Sequence, residues 1–91
     1  MATNTGVNVG VATTQILAAN DNRKYAAIVN DSDTTIYLAL GANAVLNQGI
    51  RLNANGGAYE VLLADLNIVA INGIHGDAGV KRVTVVEDSY A

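Results

Sequence analysis

Short aliphatic runs separated by polar clusters divide the 91-residue chain from end to end. Val7, Val9 and Val11 alternate with Asn8 and Gly10, the period-two pattern of a half-buried strand. Residues 14–18 (TQILA) predict a second short strand, which ends at Asn20-Asp21-Asn22. Residues 24–30 (KYAAIVN) and 34–40 (TTIYLAL) predict a third and a fourth. In the fourth, Ile36, Leu38 and Leu40 share one face, and Thr35, Tyr37 and Ala39 share the other. After Gly41, ANAVLNQG reads as a loop or a single turn of helix. Residues 49–52 (GIRL), 58–63 (AYEVLL), 67–74 (NIVAINGI) and 80–87 (VKRVTVVE) complete the series. The pair Gly56-Gly57 marks a tight reversal, because glycine admits positive φ. Gly73, His75-Gly76-Asp77 and Gly79 read as a further turn.

About eight strands at spacings of about 8–12 residues, with no helical periodicity, predict a small antiparallel β-sandwich or jelly-roll-like barrel. The chain is expected to be a single domain over residues 1–91, with an extended N-terminal arm over about residues 1–11. Residues 26–29 and 61–63 are apolar on both faces. One face meets the core, and in so small a chain the other is expected to be covered by another molecule. Composition strengthens that expectation. The chain is 51% hydrophobic, yet it has no Phe, no Trp and one Met. Ala, Val, Ile and Leu must do nearly all the packing, with Tyr25, Tyr37, Tyr59 and Tyr90 as the only rings. This is more aliphatic surface than one small core takes in, which points to an oligomer.

Charge and chemistry then remove several classes. There is no cysteine, so disulfides, thiolate metal sites and cysteine nucleophiles are excluded. No apolar run reaches the length of a membrane span. The start, MATNTGVNVG, has neither the positive nor the apolar segment of a signal peptide, so synthesis and residence in a cytoplasm are expected. Five Lys and Arg against eight Asp and Glu give a net charge of −3. Without a basic patch to neutralise phosphates, no nucleic-acid partner is expected.

Asp31 and Asp33 form a D-x-D pair, but calcium needs more oxygens from a longer loop, and Asn, Asp and Ser here serve a turn between strands. No metal and no cofactor are expected. Arg23 and Lys24 read as charges entering an edge strand, with Arg23 a candidate for a contact to a neighbouring subunit. Arg51 is expected to pair with Glu60 across a hairpin or with a carboxylate on a neighbour. His75, the only histidine, invites a relay with Asp77 and Ser32 or Ser89, but no G-x-S-x-G elbow supports it and a turn histidine is ordinarily just solvated. Glu60 and Glu87 are the only glutamates, and no strand–loop–helix phosphate cradle exists. No catalytic residue is assigned, and an enzyme is not expected. Carbohydrate binding stays open, through a sugar stacked on Tyr37, Tyr59 or Tyr90 beside the Asn-rich loops at 43–47 and 53–55.

The order of these segments resembles a known group of proteins. An Asn-x-Asn-Arg-basic cluster (Asn20 onward) leads to Ile28-Val29-Asn30 and a short polar turn. Ile36-Tyr37-Leu38-Ala39-Leu40-Gly41, Gly49-Ile50-Arg51-Leu52-Asn53 and Gly56-Gly57 follow, and Val83-Thr84-Val85-Val86-Glu87 closes the series. Over residues 14–87 this resembles the small β-sandwich virion proteins of tailed bacteriophages, found as head decoration proteins and in head fibres. The resemblance implies a capsid decoration or cementing protein on the virion surface, made in the host cytoplasm. Its implied partners are the major capsid protein and copies of itself, as a homotrimer or other small oligomer. The absence of an added fibre domain after Glu87 favours decoration over a fibre, and no catalytic residue is implied. The candidate capsid or subunit contacts are Val7, Val9, Val11, Arg23, Lys24, Arg51 and Tyr37, with the arm or a β-edge as the docking element. The alternative is a carbohydrate- or receptor-binding module on the virion surface or tail.

Overall fold

The computed structural model describes residues 2–62 and 68–90. Among them lie eight strands and no helix: β1 (Ala2–Val9), β2 (Thr14–Leu17), β3 (Arg23–Asn30), β4 (Ile36–Leu40), β5 (Ile50–Leu52), β6 (Ala58–Val61), β7 (Ile71–His75) and β8 (Lys81–Ser89). They pair from the outside in, β1 with β8, β2 with β7, β3 with β6 and β4 with β5, all antiparallel. One long hairpin of strand pairs is thus rolled up, and lateral pairing of β3 with β8 and of β4 with β7 completes it. The result is two sheets, β1-β8-β3-β6 against β2-β7-β4-β5, the winding of a small jelly roll.

Alternation decides which side chains go inside. On β3, Ala26 and Ile28 lie opposite Val61 and Tyr59 of β6 and opposite Glu87 and Val85 of β8, so these residues share the inner face. Ile36 and Leu38 of β4, with Leu52 of β5 and Ile71 of β7, face them from the other sheet, and all four are fully buried. Gly73 sits within β7 rather than in a turn. A Cβ there would run into the Ile16 side chain, so the glycine makes room for core packing.

Two expectations change. The arm expected over residues 1–11 is, from Ala2 to Val9, a full member of a sheet, in unbroken register with β8. Strand-forming Val7 and Val9 reach the inner face there, and burial of that face outweighs the freedom of an exposed arm. Deleting residues 2–10 would therefore remove a structural strand. His75 is the last residue of β7 and is completely buried, not a solvated turn residue. The outer face of the second sheet is covered by the chain itself, whereas β3 and β6, the strands expected to need cover from another molecule, lie in the first sheet. The 41–49 loop folds back over the second sheet's outer face. Asn72 Nδ2 donates to the Ala42 carbonyl at 2.6 Å, Ala44 N–H donates to Thr13 Oγ1 at 2.8 Å, and Leu46 lies over Gly76. Ile74, on the same outer face, is correspondingly buried. The loop returns to β5 through Gly49, whose φ of 83° and contact with the Leu38 carbonyl leave no space for a Cβ.

Aliphatic surface nonetheless stays outside. Val11, Leu40, Val45, Leu62, Ile68, Val69 and Val80 are all exposed among the described residues.

Candidate functional site

The two polar clusters that bracket β3 fasten the two sheets together at opposite ends. At one end Arg23 is fully buried. Its Nε donates to Glu87 Oε2 at 2.8 Å, Nη1 to the Val69 carbonyl at 3.0 Å and Nη2 to the Ala18 carbonyl at 2.8 Å. Glu87 belongs to the same sheet as Arg23, whereas Ala18 follows β2 and Val69 precedes β7 in the other. The planar fork of arginine suits three acceptors in different directions, as a lysine ammonium would not. At the other end Asn30, also fully buried, donates from Nδ2 to the Thr34 carbonyl at 2.8 Å and the Leu52 carbonyl at 3.1 Å. Its Oδ1 accepts from Ser32 N–H at 3.1 Å and from Ser32 Oγ at 2.6 Å, which shapes the β3–β4 corner.

That corner stands beside the β7–β8 turn because Ile36 pairs with His75. Lys81 Nζ donates to Asp33 Oδ1 at 2.9 Å and lies 3.6 Å from Asp77 Oδ2. Thr34 Oγ1 is 3.2 Å from Asp33 Oδ1 and 3.1 Å from Asp77 Oδ2, so its one proton serves one carboxylate at a time. The Lys81 bond, then that of Thr34, holds Asp33 below its ordinary value. The Ala78 N–H, then Thr34 and the Lys81 charge, do the same for Asp77. Lys81 is raised, first by its bond to Asp33. Because Asp33 and Asp77 are 77% and 58% exposed, salt screens this triad.

The sign of its pH dependence follows from those directions. The lowered carboxylates stabilise the fold above the ordinary aspartate value of 3.8, and this is lost as pH falls through their folded values. The raised Lys81 stabilises it below 10.5, and this is lost as pH rises through its folded value. Urea midpoints of wild type and Lys81→Met should therefore differ inside that window, converge at both limits, and converge throughout in high salt.

Between this corner, the β7–β8 turn and the 41–49 loop lies an open groove of about 440 Å³. Tyr37 lines it from the second sheet, Thr35 from the corner just before β4, Leu46 and Asn47 from the loop, and Asp33 and Asp77 from the turns. Asn47 holds a φ of 64°, a left-handed conformation that asparagine tolerates. The side-chain polar atoms of Tyr37, Thr35 and Asn47 have no hydrogen-bond partner among the described residues.

His75 turns inward beneath this region. Asp77 N–H donates to its Nδ1 at 3.1 Å, so its proton sits on Nε2, which donates to the Gly79 carbonyl at 2.8 Å. Ser32 Oγ is directed to Asn30, and Ser89 Oγ accepts from Asn20 Nδ2 at 2.9 Å. The His75–Asp77–serine relay is not assembled.

The remaining candidate contact residues separate into groups. Val9 and Arg23 are fully buried in the protein's own interior, so neither can meet a partner. Val7 packs against the core, while Val11 is exposed. Lys24 lies 5.4 Å from the centroid of the Tyr90 ring and 3.6 Å from Asp88. Arg51 stands opposite Tyr37 on the outer face of the second sheet. It does not pair with Glu60, which lies in the other sheet and accepts the Tyr25 hydroxyl at 2.7 Å. Asp33, Asn47 and Asp77 were each legible only as turn or loop residues, Thr35 as a strand residue on the Tyr37 face, and strand pairing brings them together with Tyr37.

The sheet edges differ in a further respect. β2 is short and bulged, β5 is three residues long and carries Arg51, and β6 is short and carries Glu60. Those are common guards against strand addition. β1 has eight residues, no charge, no proline and no bulge. It is the unguarded edge among the described strands.

No family model, no characterised protein and no solved structure matches the chain.

Proposed function

We propose that the protein is a non-enzymatic structural component of a tailed-phage virion, a decoration protein that binds the assembled head and stabilises it. The observation that carries this reading is the open β1 edge. An eight-residue strand without charge or bulge offers a row of backbone donors and acceptors to a strand of the major capsid protein. The exposed aliphatic residues Val11, Leu40, Val45 and Val69 supply apolar surface for contacts between copies in a small homo-oligomer. Eight-stranded jelly rolls recur in viral capsid and lectin domains, although the fold alone decides no function. The resemblance over residues 14–87 adds to the same side. Stabilisation would follow from mass action, since a protein that binds the assembled lattice and not its free subunits shifts the balance toward the lattice, and several linked copies multiply the effect.

Co-sedimentation with purified heads, together with the native mass in solution, tests the proposal. The wild type is expected to sediment with heads and to have an oligomeric mass. The double variant Asn4→Lys, Thr5→Lys charges the edge at exposed positions, so it is expected to stay folded by circular dichroism and to lose most binding. A monomer without affinity for heads sinks the proposal. Undiminished binding by the charged-edge variant removes β1 as the docking element.

A further inference from the structure

We infer that the groove over Tyr37 is a binding site for a neutral saccharide. Its volume of about 440 Å³ falls in the range of roughly 300–1,000 Å³ typical of small-molecule sites. A pyranose presents an apolar C–H face and a rim of hydroxyls, and the groove offers a counterpart to each. Tyr37, on the outer face of β4, supplies the ring for the C–H face, with Leu46 beside it. The rim meets Asp33 and Asp77 on one side and Asn47 and Thr35 on the others. Both carboxylates are held ionised, and each accepts more bonds than the Lys81, Thr34 and Ala78 donors use. Hydroxyls donating to them form charge-assisted bonds, stronger than neutral ones. Asn47 can both donate and accept, and its amide is unengaged.

Other ligand classes fit less well. Two carboxylates face a single ammonium, so the groove keeps a negative excess that disfavours phosphates and acidic sugars. The Lys81 ammonium already bridges the two aspartates, and no group of three metal-ligating side chains exists among the described residues. The walls are pre-set, because Asn30 fixes the corner that bears Asp33 to Thr35. A rigid site loses little ordering entropy when it binds.

The inference is independent of the proposal for the virion, since it concerns the opposite sheet from the β1 edge. The test is an amide NMR titration of the full chain with lactose, maltose and chitobiose, and with sialyllactose as the anionic counterpart. At least one neutral disaccharide is expected to shift resonances of residues 33–37, 46–47 and 76–77. Tyr37→Ala should weaken that binding by roughly tenfold or more. Asn47→Gly keeps the positive φ and removes only the amide, so it should weaken binding without lowering stability. Shifts absent with every neutral sugar, shifts mapping elsewhere, or unchanged binding by both variants would overturn the site. Tighter binding of sialyllactose than of lactose would overturn the neutral class.

Discussion

Arg23→Ala is expected to lower the unfolding free energy by about 3–5 kcal/mol, the cost of breaking a buried ion pair from one side. For a domain of this size the whole stability is about 5–15 kcal/mol, so urea denaturation should show a large displacement. At about 4–8 °C per kcal/mol, the melting temperature should fall by about 12 °C or more. The physical cause has two parts. Glu87, only 18% exposed, is left without its cation. The carbonyls of Ala18 and Val69 also lose a donor that ties the second sheet to the first. Arg23→Lys should recover only part of the loss, because one ammonium on a flexible stem cannot reproduce the fork. A double variant, Arg23→Met with Glu87→Leu, separates the parts. If the unpaired charge were the whole cost, the double variant would approach wild type; the stranded carbonyls predict that it stays well below. An Arg23→Ala loss under about 1 kcal/mol would show that the network is incidental to stability.

Asn30→Leu is expected to cost about 2–4 kcal/mol, for a different reason. No charge is involved, but the Leu52 carbonyl and the Ser32 N–H both lose the Asn30 amide, and the Thr34 carbonyl and the Ser32 hydroxyl keep only their mutual bond of 3.1 Å. Each buried polar group left unmatched costs about 1–3 kcal/mol, reduced where water can reach it. The corner carries Asp33, Thr34 and Thr35, so loss of Asn30 should also disturb the groove. Amide shifts of residues 33–37 report this separately from global stability. Asn30→Asp is the sharper companion. It turns a donor into an acceptor facing two carbonyls, so its ionised form is disfavoured in the fold. A carboxyl protonated more readily in the folded state makes that variant more stable as pH falls, the reverse of ordinary acid unfolding. If both variants melt with the wild type, Asn30 does not hold the corner.

The strands were legible in the sequence because alternation is a local property. Residues 34–40, with Ile36 and Leu38 on one side, read as a strand, and β4 places those two side chains in the core. The polar clusters after Ala19 and after Val29 were legible as turns, since asparagine, aspartate and serine bond their own backbone. What those clusters do was not legible. Arg23 looked like a surface charge, because burying an arginine is costly unless acceptors arrive from elsewhere, and Glu87, Val69 and Ala18, which accept from it, lie 64, 46 and 5 positions away. His75 and Gly73 likewise read as turn residues, because nothing local marks a glycine that yields space to Ile16 or a histidine satisfied by its own loop.

By itself, then, the sequence determined the fold class, the number of strands and the places where the chain reverses, all set by patterns a few residues long. Tertiary structure alone decided that residues 2–9 form a sheet edge rather than an arm, and that the two polar clusters fasten opposite ends of the sandwich. It also decided that Asp33, Tyr37, Asn47 and Asp77 meet around one groove. The physical reason is strand pairing between distant segments, β3 with β8 and β4 with β7. No local preference encodes which strand will lie beside which; that choice belongs to the burial of the whole inner surface at once.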